Sequence, residues 1–218
     1  MACAAVIVAS GSSRRMGFDK LSAELHGKPV LAHTVAAFMR AEGISRVVVV
    51  CPPERFELLE AEDFLKPLER VDGGEHRHQS VANGLAVLDE EELVAVHDGA
   101  RPLVRPEAID QCIEAARKYG AATLARAVTD TLKKGDAEGF SRSPVDRTNL
   151  WAMETPQIFR TSLLRHAYAG ILERQTIPTD EVSVVEAMGV STKLVVSEFP
   201  NPKITVPADI ALATALMR

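Results

Sequence analysis

No stretch of this chain approaches the ~20 consecutive apolar residues that a membrane-spanning helix requires, although 46% of its 218 residues are hydrophobic. The apolar start, MACAAVIVAS, has no positive segment ahead of it, and Arg14 and Arg15 follow too early for a signal peptide. Cysteine is scarce. Cys3, Cys51 and Cys112 are odd in number, far apart and match neither a CxxC nor a zinc spacing. Two sit in apolar strand-like runs and one in a helix-like run, which reads as small buried hydrophobes in a reducing compartment. A basic excess is missing too. The net charge of −5 argues against a nucleic-acid binder, whose phosphate partners demand clustered Lys and Arg. A soluble cytoplasmic protein is expected, with neither a nucleic-acid nor a membrane partner. Its length suits one α/β domain over 1–218 with a large buried core.

What the chain does contain is an alternation of short β-branched runs and helical patterns. Residues 3–9, 46–51, 93–97 and 121–127 read as buried strands, and 29–40 and 106–119 as helices, the latter stopped by Gly120. This rhythm predicts a mostly parallel sheet with helices on both faces. Residues 128–151 break it, being polar, turn-rich and weakly periodic. So long a structureless loop is uncommon in a compact domain. Residues 131–133 and 143–148 are expected to pair across a turn at 135–139, forming a protruding β-arm with Trp151, the only tryptophan, packed at its base.

Six segments carry candidate chemistry. In VIVASGSSRRMGFDK (6–20) a buried strand runs into a loop of small residues, Ser10 to Ser13, whose backbone N–H groups can approach phosphate oxygens, with Arg14, Arg15 and Lys20 adding charge. Neither the P-loop nor the dinucleotide-binding glycine pattern matches it, and a flexible basic turn is the alternative. In VHDGARP (96–102) Asp98 follows a strand, a placement that suits Mg²⁺ but also an ordinary turn aspartate, and Arg101 is a candidate for an anionic substrate. In VDGGEHRHQSVANGL (71–85) Gly73 and Gly74 form a turn, Ser80 caps a helix, and His76 and His78 read as solvated. In SPVDRTNLWAMETPQIF (143–159) Arg147 is a phosphate candidate, and Thr155, Pro156 and Gln157 read as a rigid turn. In PTDEVSVVEAMG (178–189) Thr179 caps a short helix with Asp180 and Glu181 in its first turn. In NPKITVPADIALA (201–213) Lys203 opens a late strand, and 207–209 start the last helix.

In this order the six segments resemble the 2-C-methyl-D-erythritol 4-phosphate cytidylyltransferase family, over about residues 6–213. The most specific pieces are ASGSSRRMG with Lys20, DGGEHRHQSV, HDGARP, VDRTNLW with TPQIF, TDE and NPKIT. The resemblance implies a Rossmann-like nucleotidyltransferase fold and a homodimer joined through the arm at about 128–151. It implies CTP and the methylerythritol phosphate as substrates, with Mg²⁺, or Mn²⁺ in its place, as cofactor. By position, Arg15 and Lys20 match residues that stabilise the transition state at the α-phosphate, and Asp98 matches a magnesium ligand. Arg147 and Lys203 match residues that position the acceptor. Ala9, Ser10, Gly11, Gly74 and Ser80 fall where the family holds cytidine and triphosphate. Arg101, Thr131, Thr155, Thr179 and Thr205 fall where it lines the sugar-phosphate pocket, partly across the dimer.

The chain departs from the family pattern in places. Ser10 stands where family members often have alanine, and Leu21 where glutamine is common. Pro200 and Asn201 precede Lys203 where family members often carry an acid, which leaves a second metal carboxylate open. The implied reaction is displacement at the α-phosphorus of CTP by an acceptor phosphate. With a second pKa near ~6, that phosphate is already a nucleophile at neutral pH and needs no base. The task is to bring two polyanions together, and separated cations with one carboxylate suit it. Competing readings are a cytidylyltransferase for another polyol phosphate such as ribitol 5-phosphate, a transferase with another base preference, and a non-catalytic nucleotide-binding protein.

Overall fold

The computed structural model describes residues 2–12, 16–89, 91–174 and 177–217. β1 (Cys3–Val8), β4 (Ile44–Val50) and β6 (Leu93–Asp98) are mostly apolar and buried along most of their length. Such strands have no face to give to water, so they pair in parallel in the middle of a sheet covered on both sides. They do so here, β1 lying between β4 and β6. β5 (Leu68–Val71) adds to β4 in parallel. On the other side come β10 (Trp151–Arg160), β7 (Ala121–Ala127) and β11 (Lys193–Val196), giving the order β11-β7-β10-β6-β1-β4-β5. β10 runs antiparallel to both its neighbours, and the other six strands share one direction.

Because side chains alternate along a strand, β1 feeds two cores. Cys3, Ala5 and Ile7 pack with α1 (Val30–Arg40), α4 (Pro106–Tyr119) and α7 (Ala208–Leu216). Ala4 and Val6 pack with α3 (Arg77–Ala86), α5 (Thr161–Arg174) and α6 (Glu181–Glu186). α4 ends where expected: Gly120 takes φ +86, and its N–H donates to Ala116 O at 2.7 Å. A four-residue helix, α2 (Pro53–Phe56), follows β4, and a small hairpin pairs β2 (Glu24–Leu25) with β3 (Lys28–Pro29). Among the described residues no helix is long and apolar enough to cross a membrane.

The arm is a hairpin of β8 (Lys133–Gly135) and β9 (Ser141–Pro144), outside the main sheet. Its strands sit about two residues nearer the tip than the sequence pattern placed them. The turn at 136–139 sets the register, with the Asp136 carboxylate accepting from Phe140 N–H at 2.8 Å and Gly139 at φ +87. Trp151 is half-buried at the arm's base, where β10 begins opposite Ala127.

Other expectations need correction. Thr155, Pro156 and Gln157 form no turn but lie within β10, at a register shift between Met153 and Gln157 that includes a cis Thr155–Pro156 bond. Ser80 is not a helix cap. α3 starts three residues earlier, where Gln79 Oε1 accepts from His76 N–H at 2.8 Å. His76 is therefore the cap residue and His78 lies in the helix. Asp180, not Thr179, caps α6, accepting from Ser183 N–H at 3.0 Å. Lys203 opens no strand: 201–205 carry no regular secondary structure.

The chain order places the site. From β1 it proceeds to β4 and β5 on one side, then crosses back through α3 to β6 on the other. The strand order thus reverses beside the carboxyl ends of β1 and β6, which is where open α/β sheets bind ligands.

Candidate active site

A cleft of about 280 Å³ opens at that switch point, lined by Val8 at the end of β1 and the 9–12 loop that follows, Lys20, the 74–76 segment before α3 with Arg77 at the helix start, Asp98 to Ala100, and Lys203. Two loops meet across it at close range. A Cβ on Gly73 would lie 2.3 Å from Ser10 Cβ, so only glycine fits there. Ser10 and Ser80 hydroxyls are 2.7 Å apart, and Ser80 Oγ also accepts from Gly74 N–H at 3.1 Å. Ser80 thus binds the two loops together from inside α3.

Arg55, on α2, sets the course of the first loop. Its guanidinium donates to Gly11 O at 2.8 Å, to Ala9 O, and to Asp19 Oδ2 at 2.8 Å. In a trans peptide the N–H points opposite to the C=O that precedes it. With the Ala9 and Gly11 carbonyls turned to Arg55, the Ser10 and Ser12 N–H groups face away from it. Such outward N–H groups make an anion cradle.

Asp98, the last residue of β6, is 8% exposed. Lys203 Nζ stands 2.9 Å from its Oδ2, Arg77 Nε 3.1 Å from its Oδ1, and Arg101 Nε 3.7 Å from Oδ2. Burial pushes this carboxyl's pKa up, but Arg77, Lys203 and Arg101 together hold it well below the usual carboxylate range, so it is ionised. Lys203 owes its place to buried neighbours. Asn201 Nδ2 donates to Thr155 O at 2.8 Å and Arg101 Nη1 to Asn201 O at 2.6 Å, while Ile204 N–H donates to Ala100 O at 2.9 Å. Lys20 Nζ reaches the same segment, donating to Ile204 O at 2.7 Å.

Behind Asp98, His97 is fully buried, and burial pushes its pKa down to about 3, so the ring is neutral. Its Nε2 faces Arg101 O at 3.3 Å, and a carbonyl only accepts, so Nε2 carries the hydrogen. Nδ1 therefore accepts the Thr155 hydroxyl proton at 2.9 Å, and Thr155 Oγ1 in turn accepts from Asp98 N–H at 3.2 Å. Thr155 is thus turned inward, fixing the backbone of Asp98.

Among the residues the sequence singled out, Ala9, Ser10, Gly11, Lys20, Gly74, Asp98 and Lys203 share this cleft. Arg101 reaches Asp98 and also lines a second, larger hollow of about 760 Å³ with Glu154, Asn201 and Lys203. Four others stand apart. Thr179 lies on a mostly apolar groove beside α6, and Thr205 is bonded to Asp209 at 2.8 Å. Thr131 and Arg147 are exposed on the arm, where Arg147 donates to Thr129 O. Arg15 lies outside the described residues. Sequence reasoning missed Arg55 and Arg77 altogether and took Glu181 for a helix-dipole residue. Arg77 stood inside a quoted motif, but its partners are distant in the chain.

The donors present suit one kind of metal. Among the described residues no three His, Cys, Asp or Glu side chains gather to hold an ion. Two carboxylates line the cleft, buried Asp98 and exposed Glu75. One buried, ionised carboxylate beside an anion cradle fits Mg²⁺, which takes its remaining oxygens from substrate phosphates and water.

Known proteins are similar to the chain over nearly its whole length. The family model described as 2-C-methyl-D-erythritol 4-phosphate cytidylyltransferase matches residues 3–218. Curated proteins of that name include one from Caldanaerobacter subterraneus subsp. tengcongensis, 42% identical over 226 residues and covering 100% of both chains. Another, from Geobacillus kaustophilus, is 39% identical, covering 98% of this chain and 96% of the relative. Among solved structures, 2-C-methyl-D-erythritol 4-phosphate cytidylyltransferase from Thermus thermophilus superposes with a TM-score of 0.81 at 34% identity, covering 97% of each chain. The Francisella tularensis enzyme gives 0.85 at 27% identity over 100% of both.

Proposed function

The chain belongs to the 2-C-methyl-D-erythritol 4-phosphate cytidylyltransferase family, and from that membership we propose that the cleft at Asp98 is where its reaction takes place. The activity is transfer of CMP from CTP to 2-C-methyl-D-erythritol 4-phosphate, giving 4-diphosphocytidyl-2-C-methyl-D-erythritol and pyrophosphate in isoprenoid biosynthesis. The observation that carries the assignment of the site is the gathering of Lys203, Arg77 and Arg101 on one buried carboxylate beside the Ser10–Ser12 cradle and Lys20.

In this reading the triphosphate lies along the N–H groups of Ser10 and Ser12, with the cytidine near Gly74 and Ser80. An acceptor phosphate oxygen forms a bond to the α-phosphorus as the bond to the bridging oxygen of pyrophosphate breaks. No proton has to be removed from the nucleophile, so no side chain is assigned as a base. Lys20 and Arg15 offset the charge that develops on the α-phosphate and the leaving group, and Lys203 and Arg101 hold the acceptor phosphate. Asp98 would hold Mg²⁺ through a carboxylate oxygen, and that ion would neutralise triphosphate charge. Thr155 serves by fixing Asp98 rather than by reaching the polyol.

The arm completes the site in a second copy. Arg147 and Thr131 line neither hollow of their own chain, and the arm carries an exposed Phe140. A homodimer in which each arm crosses to its partner, on a single nucleotidyltransferase domain, gives both residues an acceptor to meet. The three cysteines are free and buried, which supports a reducing, cytoplasmic setting.

The test is pyrophosphate release across the four NTPs and several polyol phosphates. CTP with the methylerythritol phosphate is expected to give the highest kcat/KM. A ratio favouring ribitol 5-phosphate would overturn the acceptor but not the transfer chemistry. Absence of CTP turnover would overturn both.

A further inference from the structure

One arginine of the cleft has all three of its donor nitrogens committed to protein carboxylates. Arg77 Nη1 donates to Glu181 Oε1 at 2.6 Å, Nη2 to Glu181 Oε2 at 2.9 Å, and Nε to Asp98 Oδ1 at 3.1 Å. Glu181 is fully buried, and Tyr168 donates its hydroxyl to Oε1 at 2.9 Å. The backbone of Glu181 is pinned in turn, its N–H donating to Gln157 Oε1 at 2.9 Å. A guanidinium is planar, and a bidentate carboxylate fixes that plane. Once Glu181 sets the fork, the direction of Nε is set as well.

A buried ion pair of this kind is weak evidence for stability, because the desolvation of its charges offsets their attraction. What it supplies here is direction. Of the two Asp98 oxygens, Oδ1 is held by a group that cannot turn, whereas Oδ2 is held by Lys203, a flexible point charge, and more distantly by Arg101.

We propose that Arg77 is a positioning residue for nucleotidyl transfer: clamped by Glu181, it fixes the plane of the Asp98 carboxylate and leaves Oδ2 as the oxygen that exchanges partners when substrate enters. The proposal rests on the reading of this cleft as the transfer site. Arg77 touches no reacting atom in it. Its effect passes through Asp98, as outer-shell partners orient the residues that do the binding.

The test compares wild type, Arg77→Lys, Glu181→Gln and Tyr168→Phe, with thermal melts to establish folding and Lys20→Met run alongside. Each protein is assayed for kcat, for the KM of CTP and for half-saturating Mg²⁺, and CTP binding is measured by calorimetry. Arg77→Lys keeps the charge but loses the fork, and kcat is expected to fall roughly 10- to 100-fold, with half-saturating Mg²⁺ raised. Calorimetric CTP affinity should stay within about threefold, since the lost effect is one of orientation. Glu181→Gln shifts both readouts the same way, and Tyr168→Phe by less, which keeps the test alive if the charged variants fold poorly. A merely structural role would lower the melting temperature and leave kcat per folded molecule unchanged. Wild-type kcat and Mg²⁺ dependence in folded Arg77→Lys and Tyr168→Phe, while Lys20→Met is inactive, would overturn the proposal and leave the site standing. A wild type unable to release pyrophosphate from CTP would overturn the site and this proposal together.

Discussion

Lys203 Nζ stands 2.9 Å from Asp98 Oδ2, the shortest of the three cationic contacts on that carboxylate. Any divalent cation that takes this oxygen does so in competition with the lysine, so metal binding and release of Lys203 toward the acceptor are linked. Activity is therefore expected to require Mg²⁺ or Mn²⁺ and to vanish in excess EDTA. In Asp98→Asn the metal concentration for half-maximal rate should rise at least about tenfold, the size of effect that even outer-shell partners produce. A metal titration of the folded variant that overlays the wild type would refute the role of Asp98, and full activity in EDTA would refute the metal.

The arm leads to a prediction about assembly. Its turn at 136–139 is built by Asp136 and Gly139, and exposed Phe140 follows at once. In the proposed homodimer, deleting 136–139 should weaken association and lower activity, because Arg147 and Thr131 would lose their placement across the interface. Sedimentation at assay concentration checks it. A full-strength, fully active dimer after the deletion contradicts the account, and a monomeric wild type does so more directly.

Glu154 predicts the direction of a pH effect on stability. Burial raises its carboxyl above the ordinary range, against partial relief from Arg101, Asn201 and Arg126, and its Oε2 has no hydrogen-bond partner among the described residues. A group whose folded pKa is raised contributes stability below its unfolded pKa and loses it as pH rises through the folded value. Glu154→Gln should therefore melt higher than wild type near pH 7, with the difference shrinking as pH falls toward the ordinary Glu value of about 4.3. Melting curves from pH 4 to 8 decide it, and a difference that stays constant across that range contradicts the burial argument.

The sheet was legible because its central strands are buried on both faces and so read as apolar runs, as in 3–8 and 47–50. The anion loop and Asp98 were legible for a related reason, since each directly follows such a run. β10 was hidden by Pro156, which reads as a turn but sits at a bulge inside the strand. The arm's strands slipped by two residues because both are polar, leaving the turn rather than a hydrophobic pattern to set the register. Arg77 and Arg55 stayed invisible because their meaning lies in distant partners: Glu181 is 104 residues from Arg77, and the Gly11 carbonyl is 44 from Arg55. No local pattern encodes such pairings. They exist only once α6 and α2 have docked.

Lys20, tied at 2.7 Å to the Ile204 carbonyl beside Lys203, is the residue proposed to stabilise the transition state in the cleft at Asp98. The most direct measurement is kcat of Lys20→Met against wild type with saturating CTP, acceptor and Mg²⁺, followed by pyrophosphate release, with circular dichroism and melting curves confirming the fold. Loss of one preorganised donor typically costs on the order of 10²–10³ in rate, and a drop of that size with a native melt is the result expected. A folded Lys20→Met enzyme that turns over at the wild-type rate would contradict the account.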